Sequence, residues 1–370
     1  MKHNWEYKRL GDVCDVYQPK TIASSELVVN GEYDVFGANG IIGKYSSYNH
    51  EFPEILLTCR GATCGTINVS NPKSWINGNA MVIHSKSKCL LFGYLRYIMT
   101  SFDYSNIITG AAQPQITRQS LTPTSVPVPP MEVQQQIVAE LDKINEVIED
   151  CRELLRNLDA LAQSLFYDYF GDPIANPKNW EISKLDSLIQ PKKNILRASK
   201  NFTQNDLITY IDISSINRNS NSISDPSVLV FGDAPSRAQQ CVKHSDLLVS
   251  LVRPNLKNIA LCSLTSNSLV ASSGFCVLRS NNISNPNFLL HLLLSASTTE
   301  YLCSKISGAA YPAITENDIR DMHVPVPPLE LQKKFAECIE QINAQKKAVE
   351  QTIAVLQTLL NSRMDYWFND

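Results

Sequence analysis

The sequence lacks the short motifs that identify most enzymes. Its 370 residues contain no Walker phosphate loop, no HExxH metal pair, no nucleophile elbow and no cysteine pair with the CxxC spacing. No apolar run reaches the roughly 18 residues that a membrane span needs, and the first residues lack the apolar core of a signal peptide. We therefore expect a cytoplasmic, non-catalytic protein with no metal site and no cofactor of its own.

Cysteine is present but points to no chemistry. Cys59 and Cys64 flank Arg60-Gly61, yet no second close pair completes a zinc site. In a reducing compartment the ten cysteines are expected to be small apolar residues rather than disulfides.

Positive charge is scarce, which at first argues against nucleic-acid binding. The formal net charge is −3 and the isoelectric point is about 6.1. The charge is unevenly distributed, however, at +2 over 1–130, −7 over 131–172, +3 over 173–328 and −1 over 329–370. Ordinary salt-bridged surfaces can give such a pattern, so the charge permits DNA binding without indicating it.

An internal repeat is the most informative feature of the chain. Gly110–Thr117 returns as Gly308–Thr315, and Val126–Pro130 returns as Val324–Pro328, always 198 residues later. Between 110–145 and 308–343, 15 of 36 positions are identical, whereas unrelated segments would share about two. The duplication therefore defines the organisation of the chain.

The two halves also begin alike but differ in between. Asn4-Trp5-Glu6 returns as Asn179-Trp180-Glu181, and the second half is 23 residues longer before the shared motif. The repeat thus predicts variable domains at 1–130 and 173–328, followed by constant segments at 131–172 and 329–370.

Each constant segment is predicted to be a long helix with a coiled-coil seam. Apolar residues recur in alternating steps of four and three, and seven of nine positions keep this pattern in the second copy. A single stripe would also suit core packing within one domain, but matching stripes favour an antiparallel pair with pseudo-twofold symmetry. The predicted seam consists of Ile137, Leu141, Ile144, Ile148, Leu155, Leu158, Phe335, Ile339, Ile342, Val349, Ile353 and Leu356.

The variable domains are predicted to be α+β. Short β-like runs occur at 55–58, 81–84, 247–252 and 275–278, and helical stretches occur at 92–99 and 286–294. Asn39-Gly40 and Asn77-Gly78 are typical of turns between strands.

Taken together, these motifs resemble the DNA-specificity subunit of type I restriction-modification systems. The resemblance rests on Leu10–Val13, on Thr58–Gly65, on the two Gly-Ala-Ala motifs and on both Pro-Pro-x-Glu-x-Gln helix starts. It implies two target recognition domains that each read half of a bipartite, asymmetric site in double-stranded DNA. It also implies that the paired helices set the spacing and dock two methyltransferase subunits.

The resemblance places the chemistry in the partners. The methyltransferase would bind S-adenosylmethionine, and a restriction subunit, if present, would use ATP and Mg. Three alternatives stay open: a non-catalytic coiled-coil interaction scaffold, a specificity subunit of a methylation-only system, and an enzyme with an unrecognised active site.

Candidate base-reading residues are the polar, cationic and aromatic side chains near the shared motifs. Arginine pairs with guanine and glutamine with adenine in the major groove, whereas solvated loop residues are the alternative for each position. The second domain has Val252-Arg253-Pro254-Asn255-Leu256-Lys257 where the first has Arg60-Gly61, so contacts need not transfer between them. The candidates are Lys44, Tyr45, Tyr48, Arg60, Thr63, Gln113, Gln115, Arg237, Arg253, Asn255, Lys257 and Tyr311.

Overall fold

The computed structural model describes residues 5–86, 88–110, 113–307 and 312–369. The chain forms two compact α+β units, which confirms the predicted fold class. Unit 1 comprises Met1–Arg152 with Gln351–Asp370, and unit 2 comprises Glu153–Glu350. Each long helix is thus shared between the units, and the division into four sequence segments stays a prediction.

Unit 1 contains two small sheets stacked on a helical layer, closed by a pair of terminal strands. Its elements are β1 (Glu6–Arg9), α1 (Leu10–Val13), β2 (Cys14–Tyr17), β3 (Tyr33–Gly37), β4 (Gly40–Tyr45), β5 (Ile55–Thr58), β6 (Ile67–Val69), β7 (Trp75–Ile76), β8 (Ala80–Ser85), α2 (Phe92–Ser101), α3 (Arg118–Leu121), β9 (Ser125–Val128) and the first part of α4 (Met131–Phe170). The sheets have the orders β2-β8-β5-β6, β4-β3-β7 and β1-β9.

The central strand of unit 1 is β5, which is buried on both faces. Ile55 and Leu57 face the core that contains Tyr94 of α2, whereas Leu56 faces Phe36 of the β3–β4 hairpin. Successive side chains of a strand point to opposite faces, so one short apolar run supplies both cores. The predicted strands at 55–58 and 81–84 and the Asn39-Gly40 turn are confirmed.

Unit 2 has the same plan with more strands. Its elements are the rest of α4, β10 (Ile182–Lys184), β11 (Leu207–Ile211), β12 (Ile216–Asn217), β13 (Ser222–Ile223), β14 (Ser227–Val230), β15 (Ala238–Cys241), β16 (Leu247–Ser250), β17 (Ile259–Leu261), β18 (Leu269–Ser272), β19 (Phe275–Leu278), α5 (Pro286–Leu294), α6 (Ala296–Ser304), α7 (Glu316–Arg320), β20 (His323–Pro325) and the first part of α8 (Leu329–Phe368). The sheets have the orders β14-β11-β18-β15, β17-β16-β19, β12-β13 and β10-β20.

The repeated residues close each unit in the same way. The Val-Pro-Val segment pairs antiparallel with the first strand of its unit, as β1 with β9 and as β10 with β20. Thr117 and Thr315 cap α3 and α7 by accepting a hydrogen bond from the backbone N–H of Ser120 and Asp318, at 3.1 and 3.2 Å. The repeated residues therefore have the same structural role in both units, which is to close the fold.

The long helices pack against each other in an antiparallel sense within each unit. In unit 1, Glu140 of α4 accepts hydrogen bonds from Arg363, at 3.1 Å from Nη2, and from Nε1 of Trp367 at 3.0 Å. In unit 2, Lys346 forms an ion pair with Asp159, and the Phe335 ring lies 5.2 Å from that of Phe170. Residues near the start of α4 thus lie beside residues near the end of α8, and residues near the end of α4 lie beside residues near the start of α8.

None of the predicted seam residues is exposed. Five members are half-buried, namely Ile144, Leu155, Val349, Ile353 and Leu356. The fully buried members are Ile137, Leu141, Ile148, Leu158, Phe335, Ile339 and Ile342.

Three further observations concern the described residues. No helix among them is long and apolar enough to cross a bilayer. Across the same ranges, no three or more His, Cys, Asp or Glu side chains gather in a way that could hold a metal ion. The ten cysteines are free thiols.

Candidate nucleic-acid interface

The loop that follows β5 presents polar side chains at one end of the unit 1 sheets. Gly65 N–H donates to the carbonyl of Thr58 at 2.9 Å, which closes the loop on itself. Cys59 is buried, whereas Arg60 and Thr63 are exposed. Gly61 has a φ of +89°, a left-handed conformation that favours glycine.

The first copy of the repeated motif holds this loop in place. Gly61 N–H donates to the Pro114 carbonyl, and Ile116 N–H donates to the Cys59 carbonyl, both at 3.0 Å. Gln113 is exposed and Gln115 is half-buried beside Arg60, its partner in a β-bridge. Three of the predicted base-reading residues, Arg60, Gln113 and Gln115, therefore lie together on one surface.

Unit 2 builds the same scaffold after β16. Arg253 N–H donates to the Pro312 carbonyl, and Ile314 N–H donates to the Leu251 carbonyl, both at 2.9 Å. These bonds match those of unit 1, so Arg253 occupies the backbone position of Gly61 and Val252 that of Arg60. Arg253 has a left-handed φ of +51°, and its side chain is exposed. The two arginines thus differ by one residue in register.

A second arginine lies at the same edge of unit 2. The backbone carbonyl of Arg237 accepts a hydrogen bond from Ser273 N–H at 2.7 Å, and Gly274 accepts one from Leu251 N–H at 2.9 Å. These bonds attach Arg237, and Leu251 two residues before Arg253, to the adjacent residues Ser273 and Gly274. Asn255 is exposed in the loop of Arg253. Within the described residues, neither guanidinium forms a hydrogen bond or ion pair.

Lys257, also predicted to contact bases, is engaged elsewhere. Its Nζ donates to the carbonyl of Leu294 at 2.9 Å, at the C-terminus of α5, and its φ is +49°. A cation at a helix C-terminus satisfies a free carbonyl and complements the helix dipole. This contact gives Lys257 a structural role, and base contact by Lys257 stays a prediction.

The other predicted residues of unit 1 lie at the opposite end of the β3–β4 hairpin. Lys44 pairs with Asp34 at 3.2 Å, and the pKa of Asp34 is lowered first by a hydrogen bond from Asn71 and then by Lys44. Tyr45 packs edge-on against Trp75 with ring centroids 5.3 Å apart.

Tyr48 packs against Tyr33 in the same way, with ring centroids 5.0 Å apart. The structure thus separates Lys44, Tyr45 and Tyr48 from the Arg60 loop. Tyr311 lies outside the described residues.

Sequence reasoning predicted the Asn39-Gly40 turn of the same hairpin but did not include it in the candidate interface. The Thr58 hydroxyl donates to the Ala38 carbonyl, which holds the turn beside the loop of Arg60. Asn39, Ile41 and Ile42 are exposed there. The sequence contains a sign of this exposed apolar pair, because two adjacent isoleucines after an Asn-Gly turn break the alternation expected of a half-buried strand.

Solved structures share this fold. The chain aligns with the S subunit of a type I restriction-modification system from M. genitalium over 99% of its own length and 96% of that chain, at a TM-score of 0.58 and 14% identity. A chain from a structural study of assembly and conformational transition of the type I R-M system aligns over 98% and 97%, at 0.56 and 20%.

Curated relatives match along part or most of the chain. The HindI specificity subunit of Haemophilus influenzae is 28% identical over 37% of this chain and 31% of its own length. The putative MjaX specificity subunit of Methanocaldococcus jannaschii is 22% identical over 68% and 61%. The MjaVIII specificity subunit of the same organism is 22% identical over 92% and 86%. The chain thus spans from about a third to most of the length of these relatives.

A family model accounts for both halves of the chain. The type I restriction modification DNA specificity domain matches residues 2–156 and again residues 177–358. Because these two matches together cover most of the sequence, the chain belongs to the family of type I restriction-modification DNA specificity domains.

Proposed function

We propose that this chain is the DNA-reading subunit of a type I restriction-modification assembly and has no catalytic activity itself. Each unit reads one half of a bipartite, asymmetric site in double-stranded DNA. One observation carries the proposal. Both units hold an exposed arginine in a loop, after β5 in unit 1 and after β16 in unit 2, and matching backbone hydrogen bonds support the two loops.

Identical scaffolds with different side chains suit two different targets. Unit 1 presents Arg60 and Gln115, whereas unit 2 presents Arg253 and, in the position of Gln115, Ala313. Exposed arginine reads guanine bidentately, and glutamine reads adenine. The two loops therefore read different base pairs, and the complete site is not a palindrome.

The paired helices set the distance between half-sites and dock two methyltransferase subunits. In support, α4 and α8 leave large apolar residues exposed outside the buried seam: Leu154, Leu161, Val355 and Leu359. Leu154 and Leu161 are seven residues apart on α4, and Val355 and Leu359 are four apart on α8, so each pair shares one helix face that a partner can cover.

The catalytic groups belong to those partners. The methyltransferases bind S-adenosylmethionine, and restriction subunits, where present, use ATP and Mg. The whole assembly acts in the cytoplasm, where the chromosomal DNA lies.

The modest net charge of the chain agrees with a role in base reading, with catalysis left to the partner subunits. Phosphate contacts give affinity without sequence information, and base contacts give specificity. A reader with a net charge of −3 can leave much of the phosphate neutralisation to its partners. Binding by the assembly should still weaken as salt rises, since phosphate contacts release counterions.

The test is binding of the co-purified methyltransferase complex to duplex DNA, with Arg60→Ala and Arg253→Ala as variants. Each variant should relax the sequence requirement in one half-site only, with a loss of about 1–3 kcal/mol of base discrimination. Arg218→Ala removes an exposed arginine from the turn between β12 and β13 and is the matched control. Equal losses on specific and random duplex would reject base reading, and no DNA affinity of the intact complex would favour the interaction scaffold.

A further inference from the structure

The β3–β4 hairpin of unit 1 carries an exposed apolar pair at its turn. Ile41 is 55% exposed and Ile42 is 48% exposed, and both lie on the outer strand of the sheet β4-β3-β7. Single apolar residues on a surface are ordinary, but two adjacent isoleucines at a turn indicate a contact surface.

The turn is held in a defined position. Gly37 pairs with Gly40 across the hairpin, and Ile42 lies over Gly37, where an added Cβ would approach its Cγ2 to 2.6 Å. The Thr58 hydroxyl fixes the turn from the other side through the Ala38 carbonyl. Thr58 is two residues from Arg60, so the turn lies next to the start of the Arg60 loop.

The side chains at this turn have the chemistry that recognises an A·T base pair. Asn39 is exposed, and its amide forms no hydrogen bond with any described residue. Asparagine pairs bidentately with adenine N6 and N7, and apolar side chains contact the thymine 5-methyl group. The B-DNA major groove also admits a β-hairpin, and β3 and β4 form one whose turn follows Phe36, the last residue of β3 that pairs with β7.

We propose that the β3–β4 hairpin enters the major groove and reads A·T base pairs next to the base pair contacted from the Arg60 loop. Asn39 contacts adenine, and Ile41 and Ile42 pack on thymine methyl groups. This inference rests on the proposed function and adds to it the reading element and the type of base pair.

The experiment uses the complete chain with its methyltransferase and duplexes that contain the site. Each thymine of both half-sites is replaced in turn by deoxyuridine, which removes only the methyl group, and each adenine by 7-deazaadenine, which removes only N7. The protein variants are Asn39→Ala and the double variant Ile41→Ser with Ile42→Ser. Phe52→Ser is the matched control, because Phe52 is an exposed apolar residue of unit 1 outside the hairpin.

Deoxyuridine in one half-site should weaken binding of the unchanged protein by about fourfold per methyl group. The double isoleucine variant should bind the thymine and deoxyuridine duplexes equally. Asn39→Ala should lower the preference for adenine by about 5-fold to 150-fold and abolish the effect of 7-deazaadenine. Phe52→Ser should behave as the unchanged protein.

Two outcomes would overturn the inference, and they differ in what else they reject. Specific binding that is indifferent to every base replacement and to both hairpin variants would reject the hairpin as a reader and leave the proposed function intact. Binding without any sequence preference by the unchanged complex would reject the proposed function, and the inference with it.

Discussion

Replacing Gln134 with alanine should destabilise unit 1 strongly, although glutamine is a residue usually found on surfaces. Gln134 lies in the first turn of α4 and is fully buried. Its Oε1 accepts a hydrogen bond from Leu91 N–H at 3.0 Å, and its Nε2 donates to the carbonyls of Cys89 and Pro129 at 2.7 and 2.9 Å. One side chain thus ties the helix to the segment before α2.

The magnitude follows from these three bonds. Gln134→Ala removes them together and leaves three backbone groups without this partner. At about 1 kcal/mol net for each bond, the free energy of unfolding should fall by about 3 kcal/mol. For a unit of this size the midpoint of thermal unfolding should fall by about 6–12 °C.

Thermal and urea unfolding of the full chain measure this effect. Gln135→Ala is the matched control, since Gln135 is exposed one position further along the same helix. It should change stability by less than about 0.5 kcal/mol. Gln332, the repeat equivalent, makes the same three kinds of bond in unit 2 and should show a similar loss. Equal stabilities of the Gln134→Ala and Gln135→Ala variants would refute the reasoning.

Two further predictions concern the helices and pH. Deleting one heptad from each helix, 148–154 and 349–355, should shorten the unread spacer of the DNA site by about 3 base pairs. Seven helical residues span about 10 Å, and one base pair spans about 3.4 Å. An unchanged spacer in a folded variant would contradict the spacing role. Burial, with Lys346 as a second cause, lowers the pKa of His291 to about 4 from 6.5. Between these pH values only the unfolded chain binds this proton, so unit 2 should lose stability as the pH falls through that window. His291→Phe should reduce this acid sensitivity in melts at pH 7.5 and 5, whereas loss of the exposed His244 by His244→Ala should not.

The sequence predicted the fold well wherever a regular pattern repeats. The steps of four and three located both long helices, because an extended heptad pattern favours a helix that packs along one face. The duplicated motifs fall on the closing strands and on the segments that support the loops, but the sequence did not predict these roles. The repeat also predicted matching glutamines at the helix starts, although not that Gln134 and Gln332 would be fully buried.

The candidate site was less predictable, because exposure and pairing depend on contacts distant in sequence. In the sequence Lys257 resembles a free cation in a loop, whereas in the structure its Nζ donates to the carbonyl of Leu294 in α5. Arg60 and Arg253 look equivalent, yet the hydrogen bonds to Pro114 and Pro312 show that they differ by one position. The Ile41-Ile42 pair has the composition of a core strand, and only its place at an edge leaves it exposed.

Genome-wide mapping of DNA methylation tests the central claim most directly. The chain is co-expressed with its methyltransferase, and cells that lack only this chain serve as the control, with expression and activity of the methyltransferase verified in both. We predict a bipartite, asymmetric motif with methylated adenine that appears only when the chain is present. Identical methylation with and without the chain would contradict the account.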